Sequence, residues 1–565
     1  MNQSSPTRSY GAYHNRLSRR RILAAAAMSG GAAALLAACG GRATRTTPSA
    51  GSGAVKPQPG GQINLATPSD PFDLDPTTGE QNSRQILPMV YDSLLAIKAA
   101  PDVKYNDLVL GPGLADRWET PDGQTFTFHL HPGATFANLP PANGRPVTAS
   151  DVKWSLEYVA RIGSFKGDKK LKPALYASNF EGLEAVETPD ANTVVVRFDA
   201  PYIPFLSYAA ADWAPVMPHE IYDKDGNFSG QAVGSGAWQV DNAASQRGSH
   251  WTLKRNQTYF RQGRPYIDQV NWLVLHDTAT QAAAFTTKQI DMLPGDGVTT
   301  LDYPTVQKAK SDNPGATVYT FLNPSSGILY WNTRKPPLSD ERIRKAISLC
   351  INREELIKTL SGEGQGQWAL AGTLPGVFAD DEVHKRLSYD PAQAAKLVAD
   401  AGYPNGVSIN FMLNTEGGQT LISLVQLVQA QLKRGNIDAQ IESVTRETDN
   451  ARRHSLNYQL SYTPKILTFD IDSYLVGEFY SKSDHNYMGI NDPALDKLVL
   501  AQRSETDTNK RLDLIRQAVR LVNDHAYALA FYYPTGHVFT SPRLKSYNPN
   551  WGALGPPLVD SWLAS

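Results

Sequence analysis

Apolar and polar residues alternate with a period of two in residues 124–130 (QTFTFHL) and 192–198 (NTVVVRF), which predicts two strands with one buried face. Residues 251–253 and 270–275 predict two more. Elsewhere the period changes to that of a helix. Thr148-Ala149-Ser150-Asp151-Val152 opens one, with Thr148 as N-cap and Asp151 in the capping-box position, and Val152, Leu156 and Val159 form its single apolar stripe. Residues 340–349 predict a helix with acids in its first turn. Asp390-Pro391-Ala392 reads as N-cap followed by proline at the first helical position, with Ala394, Ala395, Leu397 and Val398 on the buried face and Gly402 as the stop. Residues 421–432 and 512–522 are further amphipathic helices. Strands and helices are mixed without a fixed short repeat, so the expected class is α/β rather than a solenoid.

One apolar stretch does not belong to this body. Residues 22–38 follow Ser18-Arg19-Arg20-Arg21 and are diluted by Ser29, Gly30 and Gly31, which is short and weak for a membrane span of about 20 apolar residues. The arginine pair resembles a twin-arginine export signal. Leu36-Ala37-Ala38-Cys39 resembles a bacterial lipobox, in which the chain is cut before the cysteine and the cysteine is acylated. Residues 1–38 are therefore expected to be an export signal, and Cys39 a lipid anchor at the outer face of the cell membrane, since two fatty chains hold firmly where one is marginal. Residues 39–61 are rich in Gly, Ser, Thr, Ala and Pro and read as a flexible tether.

Charge and cysteine content narrow the function. The first 38 residues carry five arginines and no acid, so without them the net charge falls from −1 to −6. A mildly acidic chain with no basic run is a poor partner for nucleic acid. Cys39 and Cys350 are the 2 cysteines, so with Cys39 acylated no internal disulfide can form. Cys350 follows Ile347 and Leu349 and is expected to be a buried, inert thiol. Stability has to come from a large core, which 41% apolar content supports over two or three domains. Enzyme signatures are missing: Gly234-Ser235-Gly236 and Ser325-Ser326-Gly327 do not make a nucleophile elbow, and no H-E-x-x-H or Cys/His cluster occurs. His129 and His131 share a strand face but read as a surface pair, so no cofactor or metal is expected.

A series of short motifs runs in one order along the chain: Leu74-Asp75-Pro76, Val90-Tyr91-Asp92-Ser93-Leu94, Gly113-Leu114-Ala115-Asp116-Arg117-Trp118, Pro132-Gly133-Ala134-Thr135-Phe136, Pro146-Val147-Thr148-Ala149-Ser150-Asp151-Val152 and Gly234-Ser235-Gly236-Ala237-Trp238. Then come Arg255-Asn256 with Tyr259, Ile290-Asp291, Trp331-Asn332-Thr333, Pro336-Pro337-Leu338-Ser339-Asp340, Arg342-Ile343-Arg344-Lys345-Ala346-Ile347, and Tyr389-Asp390-Pro391 through Ala401-Gly402-Tyr403-Pro404. In this order they resemble the family 5 extracytoplasmic solute-binding proteins of ABC importers, the class that includes oligopeptide-, dipeptide- and nickel-binding proteins.

The resemblance implies a two-lobed periplasmic-binding-protein-like fold with a hinged ligand cleft. One lobe would comprise residues 62–98, 200–318 and 530–565, with an extra domain, 99–199, inserted in it, and the other would span 319–529. It also implies a monomer that captures a small peptide and presents it to a permease with its ATPase subunits. An aspartate of the second lobe meets the peptide ammonium in such proteins. Asp470 aligns with it, in Leu467-Thr468-Phe469-Asp470-Ile471-Asp472-Ser473-Tyr474, and Asp472 is the neighbour that could substitute; the same Asp470 also fits the N-cap of a following helix. Tyr330, Trp331, Asn332 and Trp368 are candidates for the cleft lining, or alternatively for core. Ser69 and Asp70 stand in the first-lobe stretch expected to flank the ligand. Oligosaccharide binding, through the 10 tryptophans, is the rival ligand class. Nickel and a non-transport lipoprotein sensor are further alternatives.

Overall fold

One end of the molecule is built around a four-stranded sheet whose strands come from separated stretches of chain. A computed structural model of the protein describes residues 56–71, 73–78, 83–168, 170–172, 176–293, 301–415, 419–463, 470–550 and 557–564. The export signal, Cys39 and the tether as far as residue 55 lie outside the described residues. In the first sheet Gln62–Thr67 runs parallel to Gln269–Val274, which pairs antiparallel with His250–Arg255 and through it with Trp238–Val240. Ile63, Leu65, Val270, Trp272, Trp251 and Leu253 are buried from these strands, which is what their apolar positions require.

The stretch expected as an insertion forms a second antiparallel sheet, ordered Ala115–Glu119, Thr125–Leu130, Thr193–Phe198, Leu183–Asp190. Alternation is strict: Phe126, Phe128 and Leu130 face inward with Val194, Val196 and Phe198. The helix Ala149–Ala160 covers that face with Val152, Leu156 and Val159, and the Asp151 carboxylate accepts the Thr148 N–H at 2.9 Å, closing the end of the helix as the capping box requires. This sheet has no core of its own. Phe205 of the first lobe stands edge-on to Phe126 at 5.0 Å between ring centroids, and the apolar cluster runs unbroken from the insertion into the first sheet.

The second lobe has a five-stranded sheet ordered Ile437–Val444, Val407–Asn414, Leu460–Thr463, Ile328–Trp331, Leu529–Ala530, with the first three mutually parallel. Helices Glu341–Cys350, Pro391–Asp400, Gln419–Lys433, Ile471–Phe479, Pro493–Ser504 and Thr508–Asp524 surround it. All the buried residues of this core fall between Ile328 and Tyr533. Cys350 is among them, its thiol pushed up to about 12 by burial, which suits an inert packing group.

Two crossings join the lobes. Thr317–Leu322 passes on to Ile328–Trp331, and Leu529–Ala530 returns into Tyr532–Thr540; the outer strands pair antiparallel in register from Thr317 opposite Thr540 to Leu322 opposite Thr535. Gly366–Trp368 of the second lobe adds to Tyr532–Thr540, with Trp368 opposite Tyr532. Between the crossings Gly327 takes φ 58°, and a Cβ there would collide with the Tyr462 hydroxyl, whose ring stacks on Phe531 at 5.5 Å. Gly327→Ala should therefore lower unfolding stability by about 2–4 kcal/mol, combining left-handed strain with overpacking, as read by urea denaturation.

Candidate functional site

In open parallel sheets ligands sit outside the carboxyl ends of the strands. Gln62–Thr67 ends in Pro68, Ser69 and Asp70, which are half-buried. The Asp70 carboxylate accepts the Trp251 indole N–H at 2.7 Å, the Ser69 carbonyl accepts the Thr67 hydroxyl at 3.0 Å, and the Arg247 guanidinium lies 5.2 Å over the Trp251 ring. The local order at this strand end thus comes from the protein itself, with Ser69 left at the surface of the first lobe.

Asp470 and Asp472 come together with residues that the sequence did not single out. Asp470 is the N-cap of Ile471–Phe479 and accepts the Asp472 N–H at 2.8 Å. It also pairs with both terminal nitrogens of Arg511 and accepts the Ser207 hydroxyl at 3.4 Å. Asp472, whose side chain is fully buried, accepts from the Gln502 amide, from Arg503 Nε at 3.0 and 3.2 Å, and from the Tyr208 hydroxyl at 3.3 Å. A carboxylate offers about four acceptor sites. Asp470 receives four donors and Asp472 three, the single Arg503 Nε–H being shared between both Asp472 oxygens, and each carboxylate is paired with an arginine. Asp470 takes the helix-cap position that its sequence context also allows, and an ion pair and a contact with Ser207 are added to it.

The rest of this joint is also buried. The Arg503 guanidinium lies 4.9 Å over the Tyr202 ring and donates to its hydroxyl at 3.3 Å, and the Ile203 N–H donates to the Arg503 carbonyl at 3.0 Å. Burial disfavours the Arg503 cation, but Asp472 beside it more than offsets this and raises its pKa. Burial first, and then neighbouring charge such as Asp472, holds the Tyr202 and Tyr208 hydroxyls well above the usual tyrosine value, so both are neutral donors. The run from Pro201 to Tyr208 reads in sequence as ordinary apolar core, and nothing in the spacing of Arg503 and Arg511 points at Asp472 and Asp470.

The aromatic candidates are placed differently from expectation. Tyr330 and Trp331 have no exposed surface, and Tyr330 donates to the Glu478 carboxylate at 3.0 Å. Asn332 is tied to the Leu456 carbonyl at 2.6 Å and accepts the Arg334 N–H at 2.9 Å. These three are core, because their strand is the fourth of five and both its faces are covered. Trp368 is half-buried at the edge strand, its indole N–H on Glu354 at 2.7 Å and its ring 4.2 Å from that of His384. The structure therefore brings together Asp470 and Asp472 alone of the expected set.

The hinge holds two buried basic side chains, Arg353 and His537. Arg353 is fully buried and donates to the Ile351, Leu387 and Ala530 carbonyls at 3.4, 3.5 and 3.3 Å; burial pushes its pKa down to about 9. His537 lies between Thr320 Oγ1 at 3.1 Å, on the neighbouring strand of the ladder, and Gln365 Oε1 at 3.2 Å, and burial pushes its pKa down to about 4. Its neutral ring accepts from the threonine hydroxyl and donates to the glutamine oxygen.

Residues 109–487 match the family described as bacterial extracellular solute-binding proteins, family 5. The chain is 25% identical over 466 residues to the dipeptide-binding protein of Escherichia coli K12, covering 77% of this chain and 83% of that protein. It is 23% identical over 516 residues to the oligopeptide-binding protein OppA of Bacillus subtilis, covering 86% and 89%. Among solved structures, the periplasmic binding protein DppA of Helicobacter pylori in complex with the peptide STSA superposes with a TM-score of 0.72 at 22% identity, covering 90% of this chain and 99% of that one.

His537 sets a pH dependence. Its folded pKa of about 4 lies below the ordinary 6.5, so the unfolded chain binds the extra proton between these values and stability falls as pH drops from about 6.5 toward about 4. In His537→Asn the difference in melting temperature between pH 7 and pH 5 (values chosen to straddle about 6.5) should be smaller than in the parent protein; an equal difference would remove His537 from the acid response.

Proposed function

The chain belongs to the family 5 bacterial extracellular solute-binding proteins, and from that premise we propose that it captures a small peptide between its lobes and delivers it to the permease of an ABC importer. Proteins of this family are binding components and not enzymes; ATP is used by the importer's ATPase subunits. The observation that carries the reading is the pair of separate cores joined by crossing strands, with Thr317–Leu322 and Tyr532–Thr540 as the flexible ladder. Such a frame can open and close about the hinge, and a ligand that touches both lobes favours the closed form. The lobe limits that fit this are 62–98, 200–318 and 530–565 for the first, 99–199 for the insertion and 319–529 for the second.

Peptide is favoured as the ligand class because named relatives bind dipeptides and oligopeptides. The sugar alternative draws less support: Trp213, Trp238, Trp251, Trp272, Trp331 and Trp562 are buried and offer no face for stacking on a sugar ring. A peptide lying extended would be held chiefly through its backbone, as an added strand. Since Asp470 and Asp472 are each already paired with an arginine, the ammonium of such a peptide finds its neutralisation elsewhere or stays in water.

Cys39 in its lipobox supports attachment to the outer face of the membrane, with the body working as a monomer on its tether. No helix among the described residues is long and apolar enough to cross a membrane.

Two outcomes are expected. In a thermal-shift screen of the purified protein against di- to pentapeptides, maltotriose and nickel, peptides should raise the melting temperature, by the equivalent of about 2.7 kcal/mol at a hundredfold excess over Kd, and N-acetylation should leave the rise in place. A rise with maltotriose alone would replace peptide by sugar. Separately, cells fed an alkyne-labelled fatty acid should label the protein, and Cys39→Ser should abolish the label and release the protein from washed membranes; label retained in that variant would refute the anchor.

A further inference from the structure

We propose that Tyr202, Ser207 and Tyr208 of the first lobe, with the Asp470–Arg511 and Asp472–Arg503 pairs of the second, form a clamp that holds the closed conformation. The clamp rests on the reading of the chain as a two-lobed binder that opens and closes, but not on the identity of the ligand.

Within the second lobe Asp470 takes the Asp472 N–H and two Arg511 nitrogens, and Asp472 takes the Gln502 amide and Arg503 Nε on both oxygens. Asp470 is then three-quarters filled by its own lobe, and Asp472 takes two donors from it, the Arg503 Nε–H being shared between its oxygens. The remaining contact in both cases is a hydroxyl from the other lobe, Ser207 on Asp470 and Tyr208 on Asp472. The charges themselves are neutralised without the first lobe, so separating the lobes strands no ion. Opening exchanges the Ser207 and Tyr208 hydroxyls for water, releases the Ile203 N–H and the Tyr202 hydroxyl from Arg503, and uncovers the Tyr202 ring beneath it. Buried side chains on both sides mark a dry contact: Tyr202, Ser207 and Tyr208 are buried on the first lobe, and on the second Asp472 has no exposed side-chain surface and Arg503 has 14%.

Its position fits a clamp rather than a pivot. The covalent crossings lie at 322–328 and 530–532, whereas this contact joins residues 202–208 to residues 470–511, with no strand pairing between them. The Ile203 N–H donates to the Arg503 carbonyl, so one backbone amide reports directly on whether the two lobes touch. The hydroxyls are uncharged over the whole working range, since burial and nearby carboxylate keep Tyr208 from ionising. Hydrogen bonds that replace equivalent bonds to water contribute little each, so the clamp biases the equilibrium without locking it, and bound ligand decides the outcome.

The test is amide hydrogen exchange on the ligand-free protein carrying Ser207→Ala and Tyr208→Phe, which remove two oxygens and leave both ion pairs in place. Exchange at Ile203 should speed up about tenfold while the strand Val407–Asn414 of the second-lobe core keeps its protection. Small-angle scattering should show a larger radius of gyration. Unchanged protection of Ile203 would overturn the clamp, and so would an equal loss of protection in both lobes, which is the mark of a merely structural contact. Should the double variant fail to fold, Ser207→Ala alone carries the same readout with a smaller change. Because no ligand is added, failure here leaves the peptide screen standing, and failure of that screen leaves this result interpretable.

Discussion

The strand ladder between Thr317–Leu322 and Tyr532–Thr540 is the constraint on which the rest depends. It is the place where the chain leaves one core and returns from the other, so every other contact between the lobes is made and broken without altering connectivity. A backbone ladder suits that role because its hydrogen bonds tolerate twist while keeping register. The side chains around it are chosen to stay neutral or pre-paired. His537 links Thr320 to Gln365 as an uncharged ring, and Gly327 leaves room for the Tyr462 hydroxyl between the crossings.

Charge is handled differently at the far joint. Two aspartates and two arginines are buried there, and each pair is complete inside one lobe. Had the partners come from opposite lobes, opening would leave a buried ion to be rehydrated and closing would have to repeat the desolvation, a cost of several kcal/mol in each cycle. Placing both buried ion pairs on one lobe, opposite neutral hydroxyls and a largely exposed Glu181 3.9 Å from Arg503, avoids most of this. Arginine serves better than lysine, since its planar fork fills two carboxylate sites and its face packs on Tyr202.

Much of this fold is legible in the sequence. The alternation in residues 124–130 and 192–198 gives adjacent strands, and Thr148 with Asp151 opens the helix that covers them. Local signals of period and capping survive because tertiary packing reinforces them. What is not legible is whether a residue near a functional stretch faces a cleft or a core. Tyr330, Trp331 and Asn332 sit in a motif shared with binding proteins, yet their strand is covered on both sides, and only the order of the sheet reveals that. Asp470 illustrates the other limit. Its sequence context fits both an anchor and a cap, and the choice is made by Arg511, forty-one positions away, and by Ser207 in the other lobe. Spacing carries no trace of such partners.

That distinction bears on ligand choice. An acid with a free lone pair selects strongly for a cation, because the alternative is an unpaired buried charge. An acid already paired with an arginine of its own lobe exerts less of that selection, because its charge is balanced before any solute arrives. If peptide is the solute, an extended backbone would be read by main-chain groups, without regard to most side chains, and selection by charge would need an acid other than this pair.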